Sequence, residues 1–333
     1  MKEKLVSLLR RTLVVAAILA VPGASCAKNL EENPQLLSFI NKMVEQHRFN
    51  GDRLKRLFKQ VEIRPDIIAA ISKPAEAKPW YQYRPIFLTE KRIEGGVDFW
   101  NQHAETLARA EREFGIPPEI VVAILGVETR YGQYTGKYRV IDALSTLAFE
   151  YPPRSRFFTS ELEHYLLMTR EEQIDPLSLT GSYAGAMGIP QFISSSYRSY
   201  AVDFDGDGHR NLWNNPVDAI GSVANYFKRH GWKRNGPVTI QTRVSGNGYH
   251  ALVKKGIKPN MPLSEFAKFG VQVPDQLDTS QPASLVELET EGIPEFWIGL
   301  HNFYVITRYN HSPLYAMAVY QLSNEILKRR ERK

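Results

Sequence analysis

The chain has 333 residues, 43% of them hydrophobic and 11% aromatic, which is the composition of a globular protein with room for two or three lobes. Its formal net charge is +6 at pH 7. The first 11 residues carry +3 of this, so +3 remains without them. Part of that excess lies in the C-terminal run 328–333, which is typical of a solvated helix end. Charge therefore gives no reason to expect a nucleic-acid partner.

The N-terminus predicts export. Basic residues precede a short apolar stretch, 12–21, and small residues follow it, which is the order of a secretory signal peptide, placed here at 1–26. Cys26, the only cysteine, follows small residues as in a bacterial lipobox, although Gly23 stands where that pattern usually has leucine. We predict lipidation of Cys26, with the anchor in the inner leaflet of the outer membrane, on its periplasmic side. The alternative is cleavage after Ala27 and a soluble periplasmic protein.

Hydrophobic periodicity predicts a mostly helical chain with one β-containing insertion. Helices are predicted over 36–58, 98–114, 120–131, 139–149, 157–170, 194–201, 216–229 and 312–330, and strands over 238–244 and 284–290. The segment 73–85, rich in proline and aromatic residues, is predicted to be an extended connection. The fold class is therefore α+β and predominantly α. Its predicted parts are an α lobe (27–110), a core (111–236), a small β-containing lobe (237–292) and a return to the core and the α lobe (293–333).

One glutamate, Glu128, lies near the end of a predicted helix that is apolar on every face. Lost solvation at such a position disfavours the charged carboxylate and raises its pKa. A carboxylic acid that stays protonated near neutral pH is what general acid catalysis on a glycosidic bond requires. The alternative is a structural carboxylate that pairs with Arg130 or Arg139.

Two further segments suit sugar binding. Small residues dominate 181–192, where Ser182 and Gln191 offer uncharged hydrogen-bonding groups of the kind that hold sugar hydroxyls and acetamides. Aromatic and amide side chains interleave over 297–315, which suits stacking on sugar faces. A glycine-rich packing turn and an ordinary helical core are the respective alternatives.

The loop that begins at Asp203 predicts a metal site. Aspartates occupy positions 1, 3 and 5 and a glycine occupies position 6, as at the start of an EF-hand calcium loop. Position 12 is Asn214 instead of the usual glutamate, and Asp218 on the next helix could supply the missing carboxylate. Asn215 and Pro216 are predicted as the N-cap and first residue of that helix. We expect one structural Ca²⁺ of modest affinity; an acidic, solvated turn is the alternative.

Taken in order, the segments 126–132, 181–192, the Asp203 loop and 306–312 resemble the membrane-bound lytic murein transglycosylase B family of Gram-negative bacteria. The resemblance implies a lysozyme-like helical core with an extra α lobe, a small β lobe and a calcium loop. It implies a carbon–oxygen lyase that cleaves the β-1,4 bond between N-acetylmuramic acid and N-acetylglucosamine in peptidoglycan and leaves a 1,6-anhydromuramoyl end. Cell-wall synthesis proteins are candidate partners besides the glycan strands.

The same resemblance implies the residue roles. The catalytic acid falls on Glu128. The substrate contacts fall on Ser182, Gln191, Tyr226, Tyr309, Asn310 and Tyr315. The calcium ligands fall on Asp203, Asp205, Asp207, His209 (through its backbone carbonyl) and Asp218.

The predicted site has one carboxyl group, whereas ordinary glycosidases use two, and this distinguishes the expected activity from theirs. Three aspartates are assigned to calcium, and Glu161 and Glu163 are predicted to lie on a helix surface, so Glu128 has no evident acidic partner. A single acid suffices if the substrate supplies its own nucleophile. A hydrolytic muramidase acting on the same bond and an inert peptidoglycan-binding protein are the alternatives.

Overall fold

The computed structural model describes residues 30–72 and 78–332, so the predicted signal peptide and Cys26 lie outside the described residues. In the described part the helices are α1 (Pro34–His47), α2 (Gly51–Phe58), α3 (Pro65–Ile71), α4 (Trp80–Phe87), α5 (Glu90–Gln102), α6 (Ala104–Phe114), α7 (Pro118–Thr129), α8 (Val140–Glu150), α9 (Ser155–Glu171), α10 (Ser194–Tyr200), α11 (Pro216–Arg229), α12 (His250–Val253), α13 (His301–Tyr309) and α14 (Pro313–Glu331). The strands are β1 (Tyr138–Arg139), β2 (Thr180–Gly181), β3 (Thr239–Thr242), β4 (Met261–Pro262), β5 (Pro282–Leu288) and β6 (Glu295–Gly299). The predicted, predominantly helical α+β class is confirmed.

Helix α7 lies at the centre of the main hydrophobic core. Every residue from Ile120 to Val127 is buried, and α5, α6, α11 and α14 pack around the helix. This agrees with a sequence that is apolar on every face, because a helix of that kind needs protein on all sides. Among the described residues, no helix combines the length and apolar character that crossing a bilayer requires.

Three predicted elements differ from the structure. The helix predicted over 36–58 is broken at Arg48, whose φ is 56°, and α2 then starts from an Asn50 cap. The helix predicted over 98–114 begins earlier, at Glu90, and is interrupted at His103. The predicted extended connection is wrong from residue 80 onwards, because α4 forms there. Burial of its aromatic face outweighs the poor helix propensity of this proline-containing segment.

The small lobe is a four-stranded antiparallel sheet in the order β3-β6-β5-β4, with its own hydrophobic core around Phe266, Leu285 and Ile298. Both predicted strands are present, as β3 and β5. Strand β6 lies beyond the predicted lobe boundary at residue 292, yet it is central and hydrogen-bonds to both β3 and β5. The lobe therefore continues to Gly299. Of the other predicted boundaries, residue 110 falls inside α6 and residue 236 falls in the loop before β3.

A tyrosine slot fixes the C-terminal end of α7. Directly after the helix, Arg130 and Tyr131 adopt left-handed φ values of 50° and 61°. The Tyr131 ring stacks on Phe99 with centroids 5.6 Å apart, and its hydroxyl donates to the Arg92 carbonyl at 2.6 Å. The ring fits because Gly126 has no side chain: a Cβ there would lie 2.6 Å from the Tyr131 hydroxyl oxygen. The slot therefore sets where the end of α7 lies.

We expect Gly126→Ala to lower the free energy of unfolding by about 1–3 kcal/mol, because the added methyl group overlaps the Tyr131 ring. Urea denaturation measures the change. The matched control is Gly51→Ala in α2, where the new Cβ would meet Val44 at an ordinary 3.4 Å and stability should stay within about 0.5 kcal/mol of the wild type. Equal stabilities for the two variants would contradict the slot as the constraint.

Candidate active site

The Glu128 side chain lies at the end of α7, partly open to solvent, directly after the buried part of the helix. Its Oε1 accepts a hydrogen bond of 2.5 Å from the Tyr315 hydroxyl. Tyr315 is buried in the first turn of α14, where the Ser312 N-cap accepts from the Tyr315 backbone N–H. Two helices from distant parts of the sequence therefore hold the carboxyl group.

Burial raises the pKa of Glu128 to about 7, and the hydrogen bond from Tyr315 offsets part of that rise because it favours the charged form. The two arginines that were candidates for a structural ion pair with Glu128 bind other groups. Arg139 binds Asp142, with its Nε 2.7 Å from Oδ2, and the Arg130 guanidinium lies over the Tyr134 ring. Among residues 30–72 and 78–332, no second carboxyl group contributes to the shift. Glu128 is therefore a lone acid that holds its proton close to neutral pH.

Three of the predicted tyrosines form a continuous row from Glu128. The Tyr309 ring is nearly parallel to Tyr315, at 8° and 6.5 Å between centroids, and Tyr226 follows 4.8 Å from Tyr309. The Tyr309 hydroxyl donates to the Pro190 carbonyl at 2.5 Å, and the Tyr226 hydroxyl donates to the Arg308 carbonyl. Because its hydroxyl binds backbone, the half-buried Tyr309 offers a ligand mainly ring surface, whereas Tyr226 is buried and packs against the Tyr309 ring.

The segment 181–192 folds into a compact loop beside α7. Gln191 has a left-handed φ of 53°, and its amide nitrogen donates to the Thr135 and Gly188 carbonyls at 3.0 and 2.9 Å. The Ser182 hydroxyl accepts from two backbone N–H groups of its own turn. Thr129, the residue after Glu128, donates to the Ile189 carbonyl at 2.8 Å and so ties the loop to the acid.

Asn310 separates Tyr309 from the cap of α14. Its side-chain oxygen accepts from the Ser312 backbone N–H at 3.0 Å and thereby shapes the turn that presents Tyr315. The structure thus brings Glu128, Tyr315, Tyr309 and Tyr226 into one contact series. Gln191 lies next to this series, because the carbonyl of its neighbour Pro190 accepts from Tyr309. The side-chain oxygens of Ser182 and Asn310 instead accept from nearby backbone N–H groups.

The predicted surface position of Glu161 is wrong, whereas Glu163 is half-buried on its helix. Glu161 is buried rather than on a helix surface, and its Oε2 accepts from the Ser195 backbone N–H at 2.9 Å. Glu163 forms ion pairs with Lys42 and His47. Each acid has a structural partner, so neither serves as the second carboxyl group of a glycosidase site.

The Asp203 loop gathers three carboxylates. Oxygen atoms of Asp203, Asp205 and Asp218 lie within 4.8 Å of one another, a spacing that suits one hard cation with oxygen ligands. Asp218 is fully buried, and its two oxygens accept from the Phe204 and Asn211 backbone N–H groups, both at 2.7 Å. Asp218 therefore binds the backbone near both ends of the loop. Asp207 lies outside this group, and its side chain accepts from the His209 N–H at 2.8 Å.

The predicted start of α11 is confirmed and bears on this loop. Asn215 is the N-cap, and Pro216 is the first residue of the helix. The Asn215 amide also donates to Asp205 at 2.6 Å. The cap and this hydrogen bond therefore hold the start of α11, and with it Asp218, beside the other carboxylates.

Three residues that support the site went unassigned in the sequence. Thr129 and Tyr131 lie one and three residues after Glu128, and their place in the segment 126–132 is a usable signal. Tyr83, on α4, lies near enough to Tyr315 to contribute to the rise in the pKa of that tyrosine. No sequence pattern indicates Tyr83, because its proline-rich segment predicts an extended connection.

Comparison with known proteins agrees with this geometry. Residues 31–324 match the family described as Transglycosylase SLT domain. The chain is 47% identical over 304 residues to membrane-bound lytic murein transglycosylase B of Escherichia coli (strain K12), covering 88% of this chain and 83% of that protein. Among solved structures, catenated lytic transglycosylase SltB1 from Pseudomonas aeruginosa is 53% identical, with a TM-score of 0.87 and coverage of 90% of this chain and 99% of that one.

A second solved structure is the Escherichia coli lytic transglycosylase Slt35 in complex with calcium. It is 46% identical, has a TM-score of 0.82, and covers 90% of this chain and 94% of its own. The family match spans most of the chain, and the sequence identity to these relatives is far higher than that between proteins that share only a fold. The chain therefore belongs to the lytic murein transglycosylases of the Transglycosylase SLT family.

Proposed function

We propose that the protein cleaves the β-1,4 bond between N-acetylmuramic acid and N-acetylglucosamine in peptidoglycan and leaves a 1,6-anhydromuramoyl end. The observation that carries the proposal is the lone Glu128, whose pKa is about 7 and whose described hydrogen-bond partner is Tyr315. Ordinary glycosidases place two carboxyl groups about 5–5.5 Å apart for retention or about 6.5–9.5 Å apart for inversion. Here one acid must serve both proton transfers.

In the proposed reaction, protonated Glu128 donates to the glycosidic oxygen while the bond from that oxygen to C1 of the muramoyl residue breaks. The C6 hydroxyl of the same sugar then forms a bond to C1 and gives its proton to the Glu128 carboxylate. No water is consumed, and the acid returns to its starting state. Because the nucleophile belongs to the substrate, effective molarities on the order of 10⁵ M favour ring closure.

We assign the substrate contacts to the groups around this acid. Tyr309 would present ring surface to the sugars, since its hydroxyl binds a backbone carbonyl, and the buried Tyr226 would support that ring and complete the contact. Tyr315 would hold the carboxylate form of Glu128 after the first proton transfer. Ser182, Gln191 and Asn310 would contact the hydroxyl and acetamide groups of the glycan; for these three the support is their position in loops beside the tyrosine row.

We also propose one structural Ca²⁺ in the Asp203 loop. Asp203, Asp205 and Asp218 would supply carboxylate oxygens, with Asp207 and the His209 carbonyl completing the ligands. The related Slt35 has been solved with calcium, and the described carboxylates fit a hard cation. The bound ion would tie the loop to α11 and takes no part in the proton transfers.

The proposed location is the periplasmic side of the outer membrane, with lipidated Cys26 as the anchor and a soluble periplasmic form as the alternative. The name of the E. coli relative, membrane-bound, supports the anchored form. Glycan strands are the proposed partner, and cell-wall synthesis proteins are further candidates. An enzyme on this side of the outer membrane would face the peptidoglycan layer.

Glu128→Gln should lower the cleavage rate of purified sacculi at least about 10²-fold, because the proton donor is lost. Mass spectrometry of the products should show wild-type fragments one water lighter than hydrolysed ones. The matched control is Glu119→Gln at the other end of α7, about 13 Å away along the helix axis, which should retain activity. Hydrated muramyl ends would instead establish a hydrolase, and an inactive wild type would establish a binding protein.

Tyr315→Phe should shift the alkaline limb of the pH–rate profile upwards. The limb reports loss of the Glu128 proton and is expected near pH 7 in the wild type. Removing the Tyr315 hydroxyl removes a hydrogen bond that favours the charged carboxylate, so the pKa of Glu128 rises further. The readout is kcat/KM between pH 5 and 9. Tyr226→Phe, whose hydroxyl binds a backbone carbonyl, should leave the midpoint unchanged; an equal shift in both variants would refute the assignment.

Calcium should raise the melting temperature, and a chelator should lower it. At 100 times its dissociation constant, an ion that binds only the folded state adds about 2.7 kcal/mol. Asp205→Asn should weaken calcium binding in calorimetry and reduce the thermal shift, because a ligand charge is lost. Asp52→Asn on α2, also exposed, is the control and should respond to calcium as the wild type does. The absence of a calcium effect on the wild type would remove this site.

A further inference from the structure

A groove separate from Glu128 runs between the β lobe and helices α4 and α14. We call it the α4–α14 groove; it encloses about 770 Å³. Its lining includes Trp80, Tyr81, Trp297, Tyr320, Gln321 and Asn324. Trp297 belongs to the aromatic segment that the sequence marked for sugar stacking, and its position here places it outside the Glu128 site. The groove therefore needs its own explanation.

The groove offers aromatic surface, and a buried donor without a partner lies beside it. Trp297 and Tyr320 are partly exposed and meet edge to face, with centroids 6.3 Å apart at 77°. Trp80 is 2% exposed, and its indole N–H has no acceptor among the described residues. A buried N–H of this kind costs free energy unless a partner binds it. The partly exposed rings of Trp297 and Tyr320 are therefore the surface that the groove offers a ligand.

The polar groups of the groove suit a neutral, hydroxyl-rich ligand. Gln241, Gln321 and Asn324 contribute amides, and the Arg84 guanidinium donates to Gln321 at 2.7 Å. The charged side chains have both signs, and Lys328 already pairs with Glu325 at 3.3 Å. This balance gives no net attraction for an anionic lipid headgroup. Aromatic faces bordered by amides are the usual means of binding sugar rings.

The groove shares helices with the active site but opens in another direction. Tyr320 and Asn324 follow Tyr315 on α14 by five and nine residues, which turn a helix by about 140° and 180°. On α4, Trp80 stacks on Tyr83 with centroids 6.4 Å apart, and Tyr83 lies near Tyr315. A glycan in the groove is therefore close to the Glu128 site without occupying it.

We propose that the α4–α14 groove is a second glycan-binding site, which holds N-acetylated amino-sugar residues of peptidoglycan away from the bond that is cleaved. This inference rests on the proposed function for its substrate. Two attachment points on one polymer raise the effective concentration of glycan at the active site. Long strands therefore gain from the groove, whereas fragments that fill only the Glu128 site do not.

The test measures binding of peptide-free glycan strands in the Glu128→Gln background, so that no strand is cut. Adding Tyr320→Ala, and separately Asn324→Ala, should weaken binding about tenfold and at least threefold respectively, with melting temperatures checked by calorimetry. Phe157→Ala on α9, an aromatic residue outside the groove with 37% exposure, is the matched control and should bind normally. If Tyr320→Ala does not fold, Asn324→Ala at a partly exposed amide and Gln241→Ala at an exposed one provide the test.

A second readout uses active enzyme. Tyr320→Ala should raise KM on long strands while leaving the turnover of short glycan fragments unchanged. Wild-type glycan affinity in the folded groove variants would overturn the proposal. The proposal would also be overturned if the groove variants lost binding to free stem peptides but kept binding to glycan, because the occupant would then be a peptide. A failure of the proposed function can be told apart from a failure of the groove proposal. In the first case the wild-type enzyme is inactive, and the binding assay still reports on the groove.

Discussion

The hydrogen bond from Tyr315 to Glu128 is the interaction on which the site depends, because it joins the end of α7 to the start of α14 at the carboxyl group itself. The carboxyl group carries a cost for the fold. Its pKa rises from 4.5 to about 7, so the folded protein holds this proton more tightly than the unfolded chain does. Protonation of Glu128 therefore adds to the free energy of unfolding below about pH 4.5. This contribution, at most about 3 kcal/mol, is lost as the pH rises through 7.

Several independent anchors hold this carboxyl group in place. Tyr131 occupies a slot beside Gly126, Thr129 binds the Ile189 carbonyl, and Ser312 caps the helix that carries Tyr315. These contacts reach Arg92, Ile189 and Ser312, which lie in three different segments of the chain. A side chain fixed from several directions keeps its geometry before a ligand arrives, which is the condition for efficient proton transfer. The left-handed backbone at Arg130 and Tyr131 is tolerated because these contacts over-determine it.

What the sequence could predict was local or periodic. The apolar run before Glu128 indicated a helix buried on all sides, and the aspartate spacing with Asn215 and Pro216 indicated a loop followed by a helix. What it could not predict depends on contacts between distant residues. Helix α4 is eight residues long and contains a proline, and it forms because Trp80 and Tyr83 are buried against other elements. The Tyr131 slot likewise joins residues more than 30 positions apart, which no spacing rule reveals.

A site with one carboxyl group relies on shape where other glycosidases rely on a second charge. In the proposed mechanism, no carboxylate of the described protein lies opposite Glu128 to attack C1, so the muramoyl ring would have to be held in the conformation in which its own C6 hydroxyl does so. The tyrosine row suits this task, because ring faces restrict a sugar and exclude water without acting as nucleophiles. In the proposed mechanism, the choice between ring closure and hydrolysis is therefore made by Tyr309, Tyr226 and the loop at Gln191, whereas Glu128 supplies only the proton.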